Sequence, residues 1–207
     1  MVKSIAEIVQ IPVASTDNFS YLVLCRQTGK AVAVDPGVNP ESLLTVVREK
    51  EIVLEILANT HGHRDHTMGN QLVQAETGAR SAGHPADLPQ ADILLADGMT
   101  LHVGTLEISV LHTPGHTPGS VVFSSADAII TGDTLFVTRC GRADLPGGNP
   151  ADLYMSLRRL ASLPAETRVF PGHDYGPQPT STIAFELANN PYLQCPDLES
   201  FVKLRMG

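Results

Sequence analysis

Short apolar runs rich in β-branched residues recur along the chain, each ending where Gly or Pro turns it. Ile52 to Ala58 (IVLEILA), Leu106 to Leu111 (LEISVL), Ala128 to Ile130 and Val169-Phe170 fit this pattern, and each predicts a buried strand. Between them the apolar spacing becomes helical. Helices are predicted over Pro40 to Lys50, where Pro sits in the first turn, over Thr67 to Thr77, Ala151 to Ser162 and Thr180 to Ala188, with a short one over Asp197 to Leu204. No linker, low-complexity stretch or internal repeat interrupts the pattern, so one domain over residues 1–207 is expected. The Pro/Gly-rich piece Leu145-Pro146-Gly147-Gly148-Asn149-Pro150 is too short for a linker and is expected to be a loop lying over a functional site. A chain of 207 residues with 43% hydrophobic content is long enough to bury a two-layer core.

The residues just past each strand carry the chemistry. Ile52 to Ala58 leads to His61-Gly62-His63-Arg64-Asp65-His66, in which three imidazoles and a carboxylate occupy six residues. Leu106 to Leu111 leads through His112-Thr113-Pro114-Gly115 to His116, Ala128 to Ile130 leads through Thr131-Gly132 to Asp133, and Val169-Phe170 leads through Pro171-Gly172 to His173. Imidazole nitrogen and carboxylate oxygen are ligands that zinc, iron and manganese accept. Alternation lets His61 and His63 point to one side of an extended turn, leaving Asp65 and His66 for a second position. Taken singly, Asp133 reads as a turn or N-cap carboxylate and His116 and His173 as surface histidines. Four strand ends built alike instead predict loops that converge at one sheet edge. His84, His102 and His112 lack that construction or its companions, and are expected to be ordinary surface or edge residues.

Charge and cysteine content narrow the function classes. Lys and Arg number 14 against 22 Asp and Glu, a net charge of −8 without a basic run, which disfavours binding to a phosphate backbone. No apolar stretch is long enough for a bilayer, and Met1 to Glu7 lacks a signal-peptide core, so no membrane partner and a cytoplasmic location are expected. Three cysteines, Cys25, Cys140 and Cys195, without paired spacing argue against a disulfide framework. Cys140 falls near the expected site and reads as a small packed residue.

The set His61, His63, Asp65, His66, His116, Asp133 and His173 resembles the metallo-β-lactamase superfamily, whose HxHxDH motif is followed by separate His, Asp and His ligands. The likeness runs over nearly the whole chain. Asp17-Asn18-Phe19-Ser20-Tyr21-Leu22, Val34-Asp35-Pro36-Gly37, Thr113 to Gly119 and Gly132-Asp133-Thr134-Leu135-Phe136 look like its glyoxalase II branch, which includes hydroxyacylglutathione hydrolases and persulfide dioxygenases. The resemblance implies an α/β fold, an αβ/βα sandwich of two mixed sheets with helices on the outer faces and a metal site along one edge. It further implies one metal held by His61, His63 and His116, a second by Asp65, His66 and His173, and Asp133 between them, with Asp65 and Asp133 serving catalysis. Zinc would lower the pKa of its water to about 7, so hydroxide could attack a thioester carbonyl at neutral pH without a nucleophilic Ser or Cys.

The alternative uses fewer ligands. His61, His116 and Asp133 make the two-histidine, one-carboxylate set of mononuclear Fe2+, which the persulfide dioxygenases of this family use on glutathione persulfide. Cys140-Gly141-Arg142-Ala143-Asp144, Gly172-His173-Asp174-Tyr175, Asn190-Pro191 and Phe201-Val202-Lys203 resemble that group. By the same likeness Arg142 would bind a glutathione carboxylate and Tyr175 would reach the substrate; otherwise Arg142 pairs with Asp144 and Tyr175 packs. The chain ends before the separate helical glutathione-binding domain of typical glyoxalase II, and Arg142-Ala143-Asp144 differs from that enzyme's pattern. Asp35-Pro36-Gly37 and Arg64 in turn depart from the usual dioxygenase pattern. The balance favours a hydrolase with two Zn2+ and a small thiol-derived substrate, with Fe2+ or Mn2+ as alternative metals and a homodimer left open. Lactonase or β-lactam hydrolysis, and a metal protein without turnover, rank below both.

Overall fold

The computed structural model describes residues 6–207. Its first sheet is built from β1 (Ala6–Pro12), β2 (Phe19–Cys25), β3 (Lys30–Val34), β4 (Val53–Ala58), β5 (Arg80–Gly83) and β6 (Ile93–Leu94), hydrogen-bonded in that order. The first three strands are antiparallel neighbours, and β3 to β6 pair in parallel, so the sheet is mixed. The second sheet starts with β7 (Thr100–Val103), β8 (Leu106–His112), β9 (Val121–Ser125) and β10 (Ala128–Gly132). A two-stranded hairpin comes next, β11 (Leu135–Phe136) and β12 (Arg139–Cys140), and then β13 (Arg168–Pro171) and β14 (Ser181–Thr182) complete the second sheet in the order β14-β13-β10-β9-β8-β7.

Side-chain alternation assigns each strand face to a layer. Phe19, Tyr21 and Val23 of β2 point into the space between the sheets and meet Ile108, Val110, Phe123, Ile130 and Phe170 from the second sheet. Leu22, Ala31, Ala33 and Leu57 point outward, under Leu43, Leu44 and Val47 of α1 (Glu41–Glu49) and Val73 of a later helix. On the far side Val122, Ile129 and Val169 pack beneath Leu153, Leu157, Leu160 and Phe201. The result is helices, sheet, sheet, helices, the αβ/βα sandwich. Among the described residues no helix is long and apolar enough to cross a membrane.

Two local departures from the sequence pattern shape the site. The run IVLEILA contains a register shift where β4 pairs with β3: Leu54 lies opposite Ala31 and Ile56 opposite Val32, leaving Glu55 as the extra residue. Leu54 therefore faces the helices while Ile56 faces the inter-sheet core. The helix predicted over Thr67 to Thr77 starts three residues later, as α3 (Asn70–Thr77), and a separate helical turn, α2 (Arg64–Thr67), precedes it. At the break Gly69 donates to the Gly37 carbonyl at 2.7 Å, and a Cβ there would lie 2.9 Å from that oxygen. The Asp35-Pro36-Gly37 turn thus wedges between the pieces; His63 keeps the extended backbone expected of its turn, and Asp65 and His66 ride on the single helical turn of α2. The other helices lie close to expectation: α4 (Pro150–Ala161) with Asn149 as N-cap, α5 (Ile183–Asn189) capped by Thr182, and α6 (Leu198–Met206) capped by Asp197.

Candidate metal centre

The strand ends meet where the two sheets are stitched together. Val121 of β9 donates its N–H to the Thr60 carbonyl just past β4, and Phe19 of β2 donates to the Gly172 carbonyl just past β13, at 2.8 and 2.9 Å. A bridge between Asn18 and His173 continues the second seam. These contacts bring the loops after β4, β8, β10 and β13 to one edge. His61, His66, His116 and His173 are buried there, and His63, Asp65 and Asp133 are partly exposed.

The donor atoms fall into groups. Ligand atoms of His61, His63 and His116 lie within 4.8 Å of one another, as do those of Asp65, His66 and His173. Asp133 stands between them, its Oδ1 3.3 Å from His66 Nε2 and its Oδ2 3.5 Å from His116 Nε2 and 3.3 Å from His173 Nε2. All seven residues singled out from the sequence are therefore together. His84, His102 and His112 belong to none of these groups; His84 and His112 stack on each other at 4.3 Å, and His102 is exposed on β7.

Outer partners decide which ring nitrogens face inward. His116 Nδ1 meets the Arg142 carbonyl at 2.8 Å and must donate to it, so Nε2 carries the lone pair. His66 Nδ1 likewise donates to Asp35 Oδ2 at 2.9 Å. The Thr60 hydroxyl donates to Asp35 Oδ2 at 2.6 Å and so accepts from His61 Nδ1 at 3.1 Å. Two Nε2 lone pairs thus converge on one nitrogen, His61 Nε2 on His63 Nδ1 at 3.1 Å and His116 Nε2 on the same Nδ1 at 2.9 Å, while His66 Nε2 lies 3.2 Å from His173 Nε2. One proton on His63 Nδ1 cannot serve two acceptors well. Among the described residues, Asp133 Oδ1 and His173 Nδ1 are buried without a hydrogen-bond partner. Lone pairs and carboxylate oxygens packed against one another out of water are costly unless a cation stands among them, so the residues present fit divalent metal.

Electrostatics run the same way. Burial pushes His61 well below the ordinary imidazole range and lowers His116 too, favouring the neutral, ligating form. Burial alone would raise Asp133, but the facing His66 and His173 hold it well below the usual carboxylate range. His66 is the exception: burial is outweighed by Asp133 and Asp35 on either side, and its pKa is raised.

From sequence, Asp35 stands out only as part of a family segment. Its Oδ1 accepts from the Thr60 N–H at 2.8 Å and the Asn59 amide at 3.3 Å, and its Oδ2 accepts from the Thr60 hydroxyl and His66. With both oxygens committed it fixes the orientation of the His66 ring and the Thr60 hydroxyl, although it lies within reach of His61 and His66. A sequence signal for it exists, since Asp35-Pro36-Gly37 comes directly after the apolar strand β3 in the same construction as the other loops.

A cavity of about 340 Å³ opens over the cluster, bounded by His63, Asp65, His116, Asp133 and His173 on its floor and by Phe136, Arg139, Cys140, Arg142, Leu145, Tyr175, Tyr192 and Arg205 on its walls. Leu145 supplies the wall contact expected of its loop, while Asn149 of the same loop donates to the Gly115 carbonyl and braces the His116 turn. Tyr175 stacks on His173 with centroids 4.6 Å apart and rings 8° from parallel, and remains 45% exposed. Arg142 is held by Asp144 through two hydrogen bonds, at 2.9 and 2.6 Å. Arg205 donates through Nε to the Gly141 carbonyl at 2.8 Å, its one hydrogen bond among the described residues. Burial pushes the Cys140 thiol up to about 12, which removes it as a nucleophile at neutral pH.

A two-sheet sandwich carrying five imidazoles and two carboxylates at one edge defines a metal-site protein built for chemistry in an open cavity. The model of the metallo-beta-lactamase superfamily matches residues 16–92 and 85–173, and the chain belongs to that superfamily. It is 40% identical over 189 residues to a hydroxyacylglutathione hydrolase of Rhodospirillum rubrum, covering 89% of this chain and 72% of that one. Among solved structures, ETHE1 from Myxococcus xanthus superposes with a TM-score of 0.92 at 33% identity, over 97% of this chain and 90% of that one. TTHA1623 in a di-iron-bound form gives a TM-score of 0.79 at 33% identity, over 89% of this chain and all of that one (100%).

Proposed function

We propose that the chain is a metal-dependent hydrolase of glutathione-type thioesters, acting in the cytoplasm with two cations per chain. The observation that carries this reading is the pair of three-ligand groups sharing Asp133. His61, His63 and His116 would hold one cation, Asp65, His66 and His173 the other, with Asp133 common to both. Zinc, iron or manganese bound there supplies a Lewis acid and an acidified water at neutral pH.

The chain's own residues do the rest. Asn18 donates its amide to Asp65 Oδ2 at 3.0 Å and fixes that carboxylate facing the cavity. Phe136 and Tyr175 offer an aromatic wall to the thiol portion of a substrate. Arg205, with one of its donor groups engaged, and Arg139 present guanidinium groups to carboxylates in a protein of net charge −8, and Arg142 can do so by giving up Asp144. A thiolate departs without protonation, so no general acid has to stand opposite Asp65 and Asp133. Kinship with a hydroxyacylglutathione hydrolase supports this substrate class.

The extent of the likeness to ETHE1, with the Cys140 to Asp144 segment, favours a second reading: mononuclear iron on His61, His116 and Asp133, acting on a glutathione persulfide. Metal analysis of protein purified without added metal, paired with assays on a glutathione thioester and on glutathione persulfide under oxygen-uptake recording, separates the two. Two metals per chain with thioester turnover and no oxygen uptake are expected. One iron per chain with stoichiometric oxygen uptake would overturn the hydrolase.

A further inference from the structure

We propose that Asp87, in the turn between β5 and β6, is the positioning residue that sets the distance between the His61-His63 loop and the His116 loop, and thereby the affinity of that three-histidine group for its cation. The inference rests on the metal reading above. Asp87 itself faces no ligand atom.

Its carboxylate adds a side-chain tie between two loops whose ends the Val121–Thr60 backbone hydrogen bond already brings together. Oδ2 accepts the Gly62 N–H at 3.0 Å and the Thr117 hydroxyl at 2.6 Å, and Oδ1 accepts the Gly119 N–H at 2.8 Å. Gly62 is the residue between His61 and His63, and Thr117 comes directly after His116. An aspartate serving only its own turn accepts from N–H groups a few residues on. All three donors here are 25 to 32 residues away in sequence. The approach needs bare backbone: a Cβ on Gly62 would lie 3.0 Å from Asp87 Cβ, and one on Gly119 would lie 2.5 Å from Asp87 Cγ.

The turn carrying Asp87 is itself anchored. Asp87 and Leu88 donate their N–H groups to the His84 carbonyl at 3.0 and 2.8 Å. The His84 ring stacks on His112, the last residue of β8 before the His116 loop, at 4.3 Å and 6°. One short turn is thus fastened to the second sheet by a ring and to both ligand loops by a carboxylate. Partners hydrogen-bonded directly to metal-ligating side chains govern affinity by about 10-fold to 100-fold, and a carboxylate that holds the backbone beside three such side chains is expected to act in the same range.

The test compares Asp87→Ala and Asp87→Asn with wild type and with Asp92→Asn. Asp92 accepts from the Ser81 N–H and hydroxyl further along the same segment and touches neither ligand loop. Zinc affinities of the apoprotein are measured by chelator competition, cobalt-loaded protein is followed by its d–d absorption, and His63→Ala and His173→Ala identify which equivalent belongs to which group. Asp87→Ala is expected to lose about 10-fold to 100-fold at the equivalent assigned to His61, His63 and His116, with an altered cobalt spectrum and the other equivalent unchanged. Asp87→Asn, which keeps an acceptor for one N–H but turns an amide donor toward the other, is expected to fall between, and Asp92→Asn to match wild type. Wild-type affinity at both equivalents in Asp87→Ala overturns the proposal alone. Equal loss at both equivalents, or the same loss in Asp92→Asn, overturns it in favour of general loop stability. A wild type that binds no cation overturns it together with the metal reading.

Discussion

At the scale of single residues, order in the site depends on groups that touch no reacting atom. Asp35 accepts from Thr60, Asn59 and His66 at once, and its backbone adopts φ 51°, a left-handed conformation that Asp tolerates better than most residues. Asp35→Asn replaces one acceptor oxygen with a donor facing either His66 Nδ1–H or the Thr60 N–H. Metal affinity should fall about 10-fold to 100-fold, read by chelator competition, while circular dichroism stays unchanged. Arg205 belongs to the cavity wall, and Arg205→Met should raise KM for a glutathione thioester several-fold with kcat nearly constant, as expected when binding shared by ground and transition states is removed. A fall in kcat at constant KM would place Arg205 in the chemistry instead. The residues that would hold metal were legible because the loops carrying them each follow a strand end. Arg205 was not: it arrives from α6, and only packing of that helix against α4 brings it to the cavity.

At the scale of elements, the hairpin of β11 and β12 carries Phe136, Arg139 and Cys140 to the cavity, yet each strand is two residues long, too short to leave a periodic trace. What holds it is a buried carboxylate on α5. Glu186 accepts the Thr138 N–H and the Asn190 amide, each at 2.8 Å, and the Ser181 hydroxyl at 2.6 Å, and Asn190 donates to the Arg139 carbonyl at 3.0 Å. Glu186→Ala strands these donors in a dry interior and should destabilise the protein by about 3 kcal/mol, visible as a lowered Tm. Cys140 on the same hairpin provides a pH signature. Its thiol is raised to about 12 in the fold, against about 8.5 in an unfolded chain. The neutral thiol therefore favours the native state fully below about pH 8.5, and that contribution is lost as pH climbs toward the folded value. Cys140→Ala should show a shallower decline of Tm than wild type across this alkaline window. The break between α2 and α3 has only a weak local sign, the poor helix formers Gly69-Asn70 that a helix can still tolerate, and the approach of the Asp35-Pro36-Gly37 turn is what makes it a break.

At the scale of the whole molecule, the layered arrangement comes from strand alternation, with one face of each sheet turned to the shared core and the other to helices. The bulge at Glu55 puts the apolar residues on its two sides in opposite phases, so the composition of the run before the first histidines does not declare which face is which. Convergence of the ligand loops could be expected from their common construction, whereas the seam that unites them, Val121 to Thr60 and Phe19 to Gly172, is long-range and has no local signal. The central claim is that both ligand groups work together around Asp133. Its most direct test is a titration of the apoprotein with zinc, following thioester hydrolysis as a function of equivalents added. Activity that rises to a plateau at two equivalents per chain, and that His66→Ala abolishes, is the predicted result. A plateau at one equivalent, or full hydrolysis by His66→Ala, would contradict it.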